Sequence, residues 1–109
     1  MAHSSIDVKV KFIRGFADKT RLQILDSIKK HEKTVSQIVE ETNGSQSNVS
    51  QHLACLKGCG IIISRQEGKF MYYRLRHNQI RGLLDMFDDV LSHVHDEVTS
   101  CKRNDQCFD

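Results

Sequence analysis

Residues 34 to 57 constrain this chain more than any other stretch. Thr34-Val35-Ser36-Gln37 has the form of a capping box, a hydroxyl followed three residues later by an amide, and starts a short helix running through Ile38 and Val39 to about Glu41. Asn43-Gly44 then signals a tight turn. Ser45 is placed to cap a second helix, about Gln46 to Lys57, whose apolar positions Val49, Leu53 and Leu56 fall on one stripe. Gly58 and Gly60 mark its end. Two capped helices with a single turn between them leave few folds open.

The rest of the chain narrows the choice. A first helix is expected from about Ser5 to Phe16, with Ile6, Val10 and Ile13 apolar. Asp18 is a candidate N-cap for a second, which carries Leu22, Ile24, Leu25 and Ile28 and ends near Lys30. Ile61-Ile62-Ile63 is β-branched and reads as a strand; Glu67-Gly68-Lys69 is a turn, and Phe70 to Leu75 the returning strand. A long helix follows Asn78, with Ile80, Leu83, Leu84, Phe87, Val90, Leu91, Val94 and Val98 at amphipathic spacing. The order is that of a winged helix-turn-helix, mainly α with a small β-hairpin. Residues 1–98 are expected to form a DNA-binding and dimerisation domain, and 99–109 a flexible polar tail. The first and last helices carry more apolar surface than a compact middle can cover, so they are the expected homodimer elements.

Composition agrees. At 109 residues the chain suits one domain, and 28% charged residues is ordinary for a soluble protein. No apolar run reaches the roughly 18 residues of a membrane span, and Met1 to Lys11 has no apolar core of signal-peptide type. A cytoplasmic protein that binds no membrane is expected. Its four cysteines are then metal ligands or redox thiols rather than structural disulfides. The net charge of +2 is uneven: residues 1–76 carry +6 and residues 77–109 carry −4. A basic front suits a polyanion. No Ser/His/Asp set, phosphate loop or metal-hydrolase motif is present, so an enzyme is not expected.

In a helix-turn-helix the second helix enters the major groove. Gln46, Ser47, Ser50 and Gln51 lie near its start, opposite the apolar stripe, and can hydrogen-bond base edges or phosphates of double-stranded operator DNA. Arg65 and Lys69 sit on the hairpin, where a wing would touch the neighbouring backbone or minor groove.

Cys55 and Cys59 are four apart across the end of that helix, so they project on one side and two thiolates there can share an ion. The competing reading is two small buried hydrophobes. The helix C-terminus carries partial negative charge, which disfavours a thiolate unless a cation compensates. That makes the pair a poor redox nucleophile and a workable metal site. Cys101 and Cys107 lie on a polar tail where no core explains them.

Three segments resemble one family. Ala17-Asp18-Lys19-Thr20-Arg21-Leu22-Gln23-Ile24-Leu25, Ser47-Asn48-Val49-Ser50-Gln51-His52-Leu53, and Gly68-Lys69 followed by Tyr72-Tyr73-Arg74-Leu75 are similar to signature segments of the ArsR–SmtB metal-sensing repressors. The resemblance implies a homodimer that binds a palindromic operator and releases it on binding an inducer. His52 to Gly60 resembles the corresponding stretch of the cadmium- and lead-sensing type. That resemblance implies a site of Cys55, Cys59 and one C-terminal cysteine, either Cys101 or Cys107, with Cys101 nearer the long helix. Crossing long helices would place the third ligand in the partner subunit. All-sulfur ligation selects Cd(II) or Pb(II), with Zn(II) also accommodated.

A second site known in the family, on the last helix, would draw on His77, Asp85, His93, His95 and Asp96, but Gln79 and Val90 stand where ligands would be wanted. His52 is expected to be a packing or backbone-contact residue. The main alternative function is a thiol redox or persulfide-sensing repressor on the same fold. A protein that only buffers metal is a third.

Overall fold

Side-chain caps set where the helices begin. The computed structural model describes residues 5–103. Helix α1 (Ser5–Arg14) leads to α2 (Lys19–Ile28), where the Asp18 carboxylate accepts from the Arg21 amide at 3.0 Å. A two-residue strand, β1 (Lys33–Thr34), runs into α3 (Val35–Thr42). Its capping box is closed both ways: Thr34 Oγ1 accepts from the Gln37 amide at 3.3 Å, and Gln37 Oε1 accepts from the Thr34 amide at 2.9 Å. Asn43 ends α3 in the left-handed region, with φ of 55°, a conformation Asn tolerates better than most residues. Helix α4 (Gln46–Gly58) is capped by Ser45, whose Oγ accepts from the Asn48 amide at 3.1 Å. Strands β2 (Ile62–Glu67) and β3 (Phe70–Leu75) form the wing, turning at Gly68 with φ of 60°. Helix α5 (Asn78–Ser100) completes the fold.

Two helix ends differ from expectation. Helix α1 stops at Arg14 because the amides of Gly15, Phe16 and Ala17 donate three residues back, to Phe12, Ile13 and Arg14, which tightens the last turn. Gly15 is buried there, and a Cβ on it would lie 2.5 Å from Ile61 Cδ1. Helix α2 ends at Ile28, two residues before the expected stop.

The expected hairpin proves to be two strands of three. The sheet order is β1-β3-β2, with Thr34 opposite Tyr72 in one pair and Ile62 opposite Leu75 in the other. A strand of two residues shows no alternation, so periodicity could not reveal it.

The core is where the stripes meet. Ile24, Leu25 and Ile28 of α2, Ile38 of α3, and Val49, Leu53 and Leu56 of α4 are buried together. Ile61, Ile62 and Leu75 join them from the wing base, and Ile80 and Leu84 from α5. Each such side chain contributes roughly 1.5–3 kcal/mol by leaving water. The stripe of α5 does not stay buried. From Met86 onward its apolar residues are exposed, including Phe87, Val90, Leu91, Val94 and Val98. Helix α1 buries none of its own residues, and Ile6, Val8, Val10 and Ile13 are exposed. Phe16 bridges to α5, its ring 5.7 Å from that of Phe87. Helix α5 bends at Val94, whose φ of −123° and ψ of 16° are not helical, and no local Pro or Gly marks the place. Among the described residues no helix is long and apolar enough to cross a membrane.

Candidate nucleic-acid interface and thiol pair

Helix α4 carries two chemistries at its two ends. Val49, Leu53 and Leu56 bury one side, which turns Gln46, Ser47, Ser50 and Gln51 outward at its start; all four are exposed. Hydroxyls and amides on the first turns of a helix have both base edges and phosphates within their repertoire.

What holds α4 in place involves a residue given a smaller role by the sequence. The Arg21 guanidinium donates through Nε to His52 Nδ1 at 3.1 Å. His52 Nε2 lies 3.8 Å from Asp18 Oδ2, the same oxygen that caps α2. The Arg21–His52 bond therefore ties the start of α2 to the middle of α4, with Asp18 standing close by. His52 is part-buried, and its imidazole touches these two side chains. Its partners lie about thirty residues away, so spacing along the chain does not reveal them.

The wing is less free than the sequence suggested. Arg65 Nε donates to both Glu32 oxygens, at 3.1 and 2.9 Å, a terminal nitrogen also reaches Glu32, and the other donates to Glu67 at 3.0 Å. Its guanidinium carbon stands 4.8 Å from the centre of the Tyr72 ring. The hydrogen bond from Arg65 holds the Glu32 carboxyl below the usual carboxylate range, while Glu32 and then Glu67 push the guanidinium pKa upward. A DNA phosphate would have to compete with two carboxylates for Arg65. Lys69 extends over the Phe70 ring at 5.6 Å and makes no ion pair among the described residues.

At the other end of α4, both thiols are at the surface. Cys55 and Cys59 are exposed, which removes the buried-hydrophobe reading. They sit one turn apart, the Cys59 amide donating to the Cys55 carbonyl at 3.0 Å, with Cys59 as the C-cap residue. Cys59 opens onto a cleft of about 230 Å³ that it shares with Val8, Lys11 and Phe12 of α1. Cys101 closes α5 and is half-buried. Cys107 lies outside the described residues. Among the described residues no three of His, Cys, Asp and Glu gather closely enough to hold a metal, so one chain does not join Cys101 to the Cys55/Cys59 pair. Among the described residues the second candidate set on the last helix does not gather into a cluster either. His77 stands at the N-cap of α5, Asp85 pairs with Lys29, and His95 lies 3.6 Å from its neighbour Asp96.

The exposed apolar faces of α1 and α5 flank a cavity of about 330 Å³ lined by Ile13, Phe16, Leu22, Leu84, Phe87 and Leu91. Asp26 and Asp88 stand at its edge, and burial, then repulsion from Asp88, raises the pKa of Asp26.

Comparison with known proteins places these features. Residues 18–64, from the cap of α2 into β2, match the family described as bacterial regulatory protein, arsR family. The chain is 37% identical over 78 residues to a "Probable mercury resistance operon repressor" of Streptomyces lividans, covering 72% of this chain but only 62% of that protein. It is 32% identical over 91 residues to the HTH-type transcriptional regulator CmtR of Mycobacterium bovis, covering 83% of this chain and 77% of the relative. A homodimeric winged helix-turn-helix DNA-binding domain from Mycobacterium bovis superposes with a TM-score of 0.74 at 29% identity, over 89% of this chain and 94% of the other.

Proposed function

The chain belongs to the arsR family of bacterial regulatory proteins, whose members are DNA-binding transcriptional regulators and not enzymes, and from that premise we propose that it is a cytoplasmic, homodimeric repressor released from its operator by a soft metal ion. The observation that carries this reading is the build of α4: exposed hydrogen-bonding side chains at its start and two exposed thiols at its end.

Two copies would meet through the apolar faces of α1 and α5 and set their α4 helices about one DNA turn apart. Gln46, Ser47, Ser50 and Gln51 would then face the major groove. Lys69 would reach the neighbouring backbone, with Arg65 bracing the wing and available to phosphate only by giving up a carboxylate. The similarity to a relative named for mercury resistance supports a soft-metal inducer.

Cys55 and Cys59 fit two positions of a thiolate site for Cd(II) or Pb(II), with Zn(II) as a further candidate. A tail cysteine of the partner subunit, at position 101 or 107, would complete it. Binding there strains the helix that reads DNA, so metal and operator oppose each other, and the coupling is reciprocal.

The test is release of fluorescent operator DNA from the dimer on titration with Cd(II), Pb(II) and Zn(II). Cys55→Ser and Cys59→Ser should bind operator normally and resist release, and Cys101→Ser and Cys107→Ser identify the third ligand. Release of the Cys55 and Cys59 variants at the wild-type metal concentration would overturn the reading. Exposure of both thiols also suits a redox or persulfide sensor. Reversible loss of operator binding on oxidation in metal-free buffer would favour that alternative.

A further inference from the structure

A small cavity of about 170 Å³ lies away from α4 and the thiols, where the end of α2, the last residues of β3 and the first turns of α5 meet. Lys30, Arg74 and Arg81 face it with fixed positive charge, His31 adds an imidazole, and Glu32 is the one carboxylate in its lining. Both Glu32 oxygens accept from Arg65, and Arg74 adds only a weaker through-space attraction to that carboxylate. Among the described residues Lys30, Arg74 and Arg81 form no ion pair. Like charges brought together in a concavity repel one another and focus a positive field into it.

One of these cations is held in position. Arg81 Nε donates to the Lys29 carbonyl at 2.7 Å. That bond anchors the guanidinium by its inner nitrogen and leaves the terminal pair, the two that bind oxyanions side by side. The cavity is smaller than the roughly 300–1,000 Å³ of sites for drug-sized ligands, so its occupant is a small ion rather than a nucleotide.

We propose that this cavity binds a phosphate-type tetrahedral oxyanion through Arg74, Arg81 and Lys30. Its place favours a free anion over the DNA backbone. Arg74 stands four residues from Phe70 near the wing tip, about 13 Å along the strand, which sets it back from a duplex touched by the tip. The bound anion joins the return strand of the wing to the start of α5, and links phosphate availability to the stiffness of the wing base.

The experiment titrates inorganic phosphate into the full-length protein at constant ionic strength, reading heat of binding and the melting temperature, with chloride as the control ion. A saturable response is expected in the wild type. Arg74→Gln and Arg81→Gln should each weaken phosphate binding at least tenfold, and Lys57→Gln, outside the cavity, should leave it unchanged. In phosphate-free buffer the two arginine variants should bind operator within twofold of wild type. The proposal is overturned by a response that chloride reproduces, or by one that survives in the double variant. It is equally overturned if the variants lose operator affinity with a smaller salt dependence, which would assign these cations to the DNA backbone.

Discussion

The bond between Arg21 and His52 has a measurable weight. Replacing His52 with Ala removes the acceptor of a 3.1 Å hydrogen bond from a charged donor. Such bonds contribute about 1.5–3 kcal/mol when well shielded, but the His52 side chain is 21% exposed, so water competes for it. A coupling of about 1 kcal/mol is expected, roughly a fivefold change in the folding equilibrium. Arg21→Ala leaves the cap of α2 intact, because Asp18 accepts from the backbone amide of residue 21 and not from its side chain. The 3.8 Å approach of His52 to Asp18 is too long for a hydrogen bond. A double-mutant cycle of Arg21→Ala and His52→Ala therefore isolates one interaction. Urea unfolding at fixed protein concentration is the assay. With a slope near 2 kcal/mol per molar, each single variant should lower the midpoint by about 0.5 M or more, and the double variant by less than the sum. A coupling within about 0.3 kcal/mol of zero, the usual limit of additivity, would refute the claim that this pair ties α4 to α2.

Other consequences follow from single sites. Leu53 is 1% exposed in the centre of the core, so Leu53→Ala should cost about 2–5 kcal/mol in urea or thermal unfolding. The pKa of Asp26 is raised by burial and by Asp88. A raised acid stabilises the fold below its unfolded pKa, and that contribution is lost as pH rises through the folded one. Asp26→Asn should accordingly raise the melting temperature at neutral pH, and the gain should vanish in acid; a gain independent of pH would exclude this cause. Because a dimer carries the residue twice, Lys69→Ala should weaken DNA binding about equally across sequences and lower the salt slope by about two, as read by fluorescence anisotropy at several salt concentrations.

The site was legible in uneven measure. The outward direction of Gln46, Ser47, Ser50 and Gln51 follows from the apolar stripe of α4, because burying Val49, Leu53 and Leu56 leaves that side to them. The thiols were ambiguous: spacing places Cys55 and Cys59 on one side of a helix but does not say whether anything covers that side. Arg65 sits on the hairpin where a wing contact is expected, but its partner Glu32 lies in the connection before β1, 33 residues away, and spacing along the chain does not reveal that pairing.

The sequence by itself determined where the helices of the reading unit begin and which of their faces are buried. Asp18, Thr34 and Ser45 each act on an amide three residues on, and stripes repeat within a few turns, so these interactions are local and written in order along the chain. Tertiary structure alone decided the rest. It paired the two residues of β1 with β3, joined Arg21 to His52 and Arg65 to Glu32, gathered Lys30, Arg74 and Arg81 around one cavity, and left Cys55 and Cys59 at the surface. Those outcomes depend on groups that meet only when distant segments pack, and neither spacing nor periodicity along the chain carries that information.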